Sequence, residues 1–181
     1  MKNHTYFLIL IFLFCSLPSF ASEVLKKEIT FIAIHPMKEV HGICKEVLID
    51  SPKIAVVGIG YKLSSPFQIK IPILKLNSGD EDRDSHIQEI LGYPETPDMI
   101  AVIESVSPTG DTYLIQGKLR IRGLTQAFHS SAKIEPKAPG QIRVFGKVNI
   151  KFSDFKLEKP SILFLKAKDE IEIGYDFLIK I

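Results

Sequence analysis

Three long segments in the second half of the chain alternate between apolar and polar side chains. The polar side of each segment carries mainly charged or amide residues. A repeat of two is the side-chain period of a β-strand, and one apolar face with one charged face is typical of an antiparallel sheet that is wet on one side. The apolar positions are Tyr113, Ile115, Gly117, Leu119 and Ile121, then Ile142, Val144, Gly146, Val148, Ile150 and Phe152, then Ile171, Ile173, Tyr175, Phe177 and Ile179.

The first half of the chain adds further strand segments, rich in β-branched and aromatic residues and separated by turn-forming clusters. One of them places Phe67, Ile69 and Ile71 on a single face, with Pro72 indicating an edge or a bulge. The sequence therefore predicts an all-β fold, an eight-stranded antiparallel barrel in up-and-down order. The earlier segments are residues 28–35, 40–49, 53–59 and 67–76.

One helical insertion interrupts the strands at residues 80–91. Acidic residues crowd its start, where the helix dipole favours negative charge. Ile87, Ile90 and Leu91 then fall three and four residues apart on one side, and Gly92 ends the pattern. The sequence predicts one short helix.

Residues 1–21 have the features of a cleaved signal peptide. Lys2 precedes an unbroken apolar block at residues 6–17, and Ser19 and Ala21 place small residues where a signal peptidase reads. We predict cleavage after Ala21, a periplasmic product and a single domain over residues 22–181. An uncleaved anchor is the alternative, although the block is short for a membrane span.

The charge balance excludes several classes of partner. The chain has 23 Lys and Arg against 21 Asp and Glu, without a block of one sign. An evenly mixed surface lacks the basic patch that is typical of a nucleic-acid-binding protein. It also offers no cluster typical of a lipid-headgroup patch. Pro36 and Pro72 lie near strand edges. Such an edge is either protected against pairing or paired with a second copy of the chain, so the sequence leaves the possibility of a homodimer undecided.

Neither a metal site nor a catalytic set is expected. His35, His41 and Cys44 lack the paired spacing of a zinc site, and an extended strand would point His41 and Cys44 to opposite faces. Cys44 or Ser130 with His129 would be the only nucleophile–base pairing, without a nucleophile elbow. We expect no cofactor, no metal and no enzymatic activity.

The interior of an eight-stranded barrel is either filled by side chains or holds one small ligand. Gly117 and Gly146, which we expect on two adjacent strands, remove side chains from the apolar register and permit an open interior, although strand glycines also mark bends. No inward position is charged, so a bound ligand would be apolar. The residues alone do not decide between a filled and an unfilled interior.

Several motifs carry a family resemblance. Residues 83–87 (RDSHI) resemble the Arg-Asp-x-His-hydrophobic motif in the helical insertion of the YceI-like family. Residues 110–125 are similar to its Gly-x-Leu-x-Ile-x-Gly-x-Thr hairpin, and Tyr93-Pro94 to the segment after its helix. Ser153-Asp154-Phe155 and residues 168–173 fit its last two strands.

This resemblance implies a lipocalin-like barrel that is exported to the periplasm and binds a polyisoprenoid lipid or quinone without reaction. The alternative is a filled-barrel structural or stress-related module with no small ligand. His86 has two interpretations: it orients a ligand head group or gates the opening of the barrel, or it only fixes the helix in position. The candidate ligand-binding residues are Phe67, Ile69, Ile71, Tyr113, Ile115, Gly117, Leu119, Ile121, Val144, Gly146, Val148, Ile150, Ile173, Tyr175, Phe177 and His86.

Overall fold

A single antiparallel sheet of nine strands forms the main body of the computed structural model, which describes residues 22–181. The predicted signal peptide at residues 1–21 lies outside the described residues. Across the sheet the order is β2-β1-β13-β10-β9-β8-β7-β6-β3. These strands are β1 (Glu23–His35), β2 (Lys38–Cys44), β3 (Leu48–Ile49), β6 (Phe67–Pro72), β7 (Asp98–Thr109), β8 (Thr112–Ile121), β9 (Leu124–Ala138), β10 (Gln141–Lys151) and β13 (Glu170–Lys180).

The sheet curls so that its first and last parts approach each other. Ile43 at the end of β2 and Asn77, just beyond β6, exchange two backbone hydrogen bonds of 2.8 and 2.9 Å. The prediction of an all-β, lipocalin-like barrel is confirmed, with nine strands in the main sheet instead of eight. Because the sheet curls around its apolar face, Ile115, Leu119 and Ile121 of β8 are buried together with Ile142 and Val148 of β10.

Two small hairpins and one α-helix lie outside the main sheet in the described part of the chain. The hairpins are β4 (Ile54–Val57) with β5 (Gly60–Leu63), and β11 (Ser161–Ile162) with β12 (Leu165–Lys166). The predicted helix is α1 (Glu81–Leu91). Among residues 22–181, no helix has the length and hydrophobicity needed to cross a membrane.

Both ends of α1 follow from local chemistry. The Asp80 carboxylate accepts a hydrogen bond from the backbone N–H of Arg83 at 2.9 Å, which caps the first turn. Gly92 ends the helix in the left-handed conformation with φ of 89°, where a side chain would be strained. The predicted helix and its limits are thereby confirmed to within one residue.

β9 was not predicted, although at 15 residues it is the longest strand of the described chain. On its inward side, Ser130 and Ala132 stand between Phe128 and Ile134, so it lacks the continuous apolar alternation of its neighbours. It separates β8 from β10, and Gly117 and Gly146 therefore do not lie on adjacent strands as we had expected.

The outer face carries a charge network that joins three strands. Arg143 of β10 donates to both carboxylate oxygens of Asp176 on β13, at 2.8 and 3.0 Å, and Lys26 of β1 donates at 2.7 Å. Hydrogen bonding from Arg143, followed by that from Lys26, lowers the pKa of Asp176 to about 2. A carboxylate held in a forked pair stabilises the folded state at neutral pH.

Asp176→Asn is expected to lower the free energy of unfolding at pH 7 by about 1 kcal/mol, a modest value because solvent screens the network. The carboxyl has an ordinary pKa of 3.8 when unfolded. Its contribution is therefore complete above that value and is lost as the pH falls through about 2. Urea unfolding at several pH values should show the two proteins converging in acid.

Glu104→Gln is the matched control, because Glu104 pairs with Lys118 on the same outer face with both side chains exposed. We expect almost no change in its stability. An equal loss in both variants would contradict the assignment of a special role to Asp176.

Candidate functional site

A cavity of about 530 Å³ lies inside the curled sheet. Its wall is built almost entirely from aliphatic and aromatic side chains of the main strands, with contributions from both hairpins and α1. Most polar and charged residues of the wall, such as Arg83 and His86, lie on α1 or near the end of β1, and Lys62 on the β4–β5 hairpin is an exception. The cavity is therefore apolar along the barrel and polar toward one end.

Most of the candidate residues lie in the wall of this cavity. Tyr113, Gly117 and Gly146 do not. Tyr113 packs instead against Tyr61 of the β4–β5 hairpin, with ring centroids 6.3 Å apart. The residues that line the cavity are Phe67, Ile69, Ile71, Ile115, Leu119, Ile121, Val144, Val148, Ile150, Ile173, Tyr175, Phe177 and His86.

The two glycines do not create the open space. A Cβ atom built on Gly117 would clash with the carbonyl oxygen of Val102 and lie 3.0 Å from the Phe128 ring. A Cβ atom on Gly146 would clash with the Tyr175 hydroxyl and lie 2.9 Å from the carbonyl oxygen of Ser131. Neighbouring groups already occupy both places, so these glycines permit close packing of the wall and not a void.

One neutral hydrogen-bonded pair interrupts the apolar interior. Ser130 Oγ donates to the carbonyl oxygen of Lys147 at 2.7 Å, close to where the ladder between β9 and β10 ends. Since a serine has one proton to donate, the Tyr175 hydroxyl donates to Ser130 Oγ, at 2.7 Å. Burial raises the pKa of Tyr175, which keeps this hydroxyl neutral.

At the polar end, the motif on α1 divides into two parts. Arg83 donates to Ser78 Oγ and to the Ser78 carbonyl oxygen, and Asp84 accepts from the Ser78 backbone N–H at 2.8 Å. These two residues fix the helix to the loop before it. His86 has a side chain that is 53% exposed, yet it lines the cavity, so the cavity reaches solvent beside it. We call this opening the mouth.

The β11–β12 hairpin also borders the mouth, through Ser161 and Ile162. His35, at the end of β1, holds it in place. The His35 ring is 5% exposed. Its Nε2 donates to the carbonyl oxygen of Leu165 at 2.7 Å, and its Nδ1 accepts from the Met37 backbone N–H at 3.2 Å. These two contacts assign the neutral tautomer with its proton on Nε2.

Comparison with known sequences decides the family. A model described as the YceI-like domain matches residues 26–178. The chain belongs to the YceI-like family. No curated protein sequence matches it.

Solved structures share this YceI-like fold at low identity. BcnA of Burkholderia cenocepacia has a TM-score of 0.70 at 15% identity, covering 84% of this chain and 95% of its own. A polyisoprenoid binding domain from Saccharophagus degradans, described as implicated in plant cell wall breakdown, has a TM-score of 0.66 at 13% identity, covering 88% of this chain and 98% of its own. The Campylobacter jejuni YCEI protein has a TM-score of 0.60 at 20% identity, covering 78% of this chain and 84% of its own.

Several cavity residues of this YceI-like chain were missed. Ile29, Phe31 and Ala33 of β1 alternate with period two, and this signal would have identified them. Phe128 lies on the unpredicted β9. Tyr61 and Leu63 line the cavity because the β4–β5 hairpin folds over it, which depends on tertiary packing.

The residues considered for metal binding or nucleophilic catalysis are dispersed in the YceI-like fold. His35 and Cys44 are buried, whereas His41 is exposed and pairs with Glu39 at 3.2 Å. Burial raises the pKa of the Cys44 thiol. Ser130 is buried and His129 is exposed, as expected for adjacent residues of one strand.

Proposed function

We propose that the chain binds one elongated apolar lipid, a polyisoprenoid or an isoprenoid quinone, inside its cavity. The observation that carries the proposal is the apolar cavity of about 530 Å³. This volume lies within the usual range of small-molecule sites. Support also comes from a structural neighbour described as a polyisoprenoid binding domain.

The character of the wall favours an apolar chain over other ligands. Along the barrel, the strands present side chains such as Ile69, Leu119 and Ile150, which offer no partner to an anion or a sugar. Such a ligand would lose its hydration without compensation. An isoprenoid tail loses nothing and gains dispersion contacts along its length. The filled-barrel alternative is disfavoured because this space is not occupied by side chains.

The polar end of the cavity is the basis for a proposed orientation of the ligand. We propose that the tail lies along the apolar wall and that the head group lies at the mouth, near Arg83 and His86. His86 then contacts the head group, whereas Arg83 is largely committed to Ser78. The proposed tail contacts are the wall residues Phe67, Ile69, Ile71, Ile115, Leu119, Ile121, Val144, Val148, Ile150, Ile173, Tyr175 and Phe177.

Calorimetric titration of delipidated protein with isoprenoid alcohols of increasing length tests the proposal. Affinity is expected to rise with each added unit until the cavity is full and then to level off. The series also includes a quinone with the same isoprenoid tail and a short carboxylate similar in size to the shortest alcohol. The carboxylate is expected not to bind. Binding that is independent of tail length, or absent for every member, would refute the proposal.

We further propose that this binding serves carriage or sequestration of the lipid in the periplasm, without a chemical reaction. Export is inferred from residues 1–21, with Ala21 as the last residue removed. N-terminal sequencing of the exported protein should begin at Ser22. A chain that keeps its apolar N-terminus would instead support a membrane anchor.

A further inference from the structure

An exposed apolar hairpin projects beside the mouth of the cavity. β11 and β12 are joined by Leu163 and Phe164, and their pairing ends at Ile162 and Leu165. Leu163 is 74% exposed and Phe164 is completely exposed, with Ile162 and Leu165 also exposed. We call residues 162–165 the apolar tip. Four consecutive large apolar side chains in water are unusual unless they contact a partner.

Turn chemistry does not account for the residues of this tip. Leu163 and Phe164 both have positive φ values, 49° and 68°, as a two-residue type I′ loop requires. That loop favours Asn-Gly, because bulky side chains are strained in the left-handed region. Two large apolar residues therefore stand where they weaken the turn and remain mostly exposed to solvent.

The chain as a whole is nearly neutral and has no block of one charge, but the hairpin segment carries lysines and no acid. Residues 159–168 contain Lys159, Lys166 and Lys168, and the acids Asp169 and Glu170 follow directly. Lys159 helps to lower the pKa of Asp169, after the hydrogen bonds from Ser153, but in the described residues none of these three lysines lies within ion-pair distance of a carboxylate. Unpaired lysines around an apolar tip match an anionic surface with an apolar interior.

We propose that the apolar tip inserts into the surface of an anionic lipid bilayer while the surrounding lysines contact its headgroups. Ser161 at the base of the same hairpin and Ile162 at the edge of the tip line the cavity, so insertion brings the mouth to the bilayer. Asp80 and Asp82 of α1 line the cavity too, and we therefore assign contact to the hairpin and not to the whole rim. This surface does not depend on which ligand the cavity holds.

Leu163→Asn with Phe164→Gly is the decisive variant, because it removes the apolar tip and gives the turn its preferred residues. Flotation with phosphatidylglycerol vesicles is expected to show binding of the mature protein and a loss of about tenfold or more in the variant. The melting temperature should be unchanged or higher. Lys166→Gln with Lys168→Gln is expected to weaken binding about fivefold for each charge. Binding should also fall with phosphatidylcholine vesicles and with added salt.

Ile59→Asn is the matched control. Ile59 is fully exposed at the turn of the β4–β5 hairpin, which packs against Tyr113 at the start of β8, whereas the β11–β12 hairpin is bonded to His35 at the end of β1. Replacement of Ile59 should not change vesicle binding. Equal losses in both variants would show nonspecific adhesion and overturn the proposal. So would an unchanged affinity in the Leu163 and Phe164 variant. If that variant changed only the self-association measured by sedimentation, the tip would be an interface between two copies and the bilayer proposal would be wrong.

Discussion

Ala101→Phe is expected to abolish lipid binding while leaving the protein folded. Ala101 lies on β7, between Ile69 of β6 and Leu119 of β8, and its small side chain lines the cavity. A phenyl ring there would occupy space that the proposed tail requires. Because the space is open, the ring should not force its neighbours apart. We expect at least about a tenfold loss of affinity for the isoprenoid alcohols, with stability unchanged or raised.

The control for this experiment is Val102→Phe, the next residue along β7, which pairs with Gln68 and Lys118 on the other face of the sheet. It is expected to bind lipid normally. Urea unfolding and calorimetric titration with the isoprenoid alcohols, carried out on both variants, distinguish an open interior from a filled one. If Ala101→Phe were destabilised by about 1–3 kcal/mol, as in an overpacked core, the barrel would be filled and the account of an open cavity would be wrong.

His35→Ala is expected to lower the free energy of unfolding by about 2–4 kcal/mol. The substitution removes a buried ring and leaves the Met37 N–H and the Leu165 carbonyl oxygen without their partners. It also releases the β11–β12 hairpin from the end of β1. For a domain of this size the melting temperature should fall by roughly 5–15 °C. Calorimetry measures the loss, and hydrogen exchange at residues 161–167 should show it locally.

His41→Ala supplies the comparison. His41 lies on β2, paired with Ile32 of β1, but its side chain is exposed and is hydrogen-bonded to Glu39, which is also exposed. Its loss should change stability by less than about 0.5 kcal/mol. Equal stabilities for the two histidine variants would contradict the proposal that His35 holds the β11–β12 hairpin through its hydrogen bond to Leu165.

The strands with regular alternation were predictable from the sequence. Ile115, Leu119 and Ile121 mark an inward face with period two, and the structure buries all three. The helix was equally clear, since Asp80 and Gly92 supply recognisable ends. In both cases the signal is local, and packing reinforces what the backbone already prefers.

Elements whose sequence lacks a local signal were not predictable. β9 presents Ser130 and Ala132 to the interior, because small residues fit where Tyr175 and its neighbours already fill the space. The β11–β12 turn uses Leu163 and Phe164 instead of the glycine or asparagine that marks such turns. The environment of Gly117 depends on Phe128, a residue of the unpredicted strand.

We expect the open cavity to hold one lipid molecule in the exported protein. Organic extraction of gently purified mature protein, followed by mass spectrometry, tests this occupancy, with Ala101→Phe prepared in parallel. The unaltered protein should carry about one isoprenoid molecule per chain and the variant almost none. Absence of lipid from the unaltered protein in several expression hosts, or equal lipid in both proteins, would contradict this expectation.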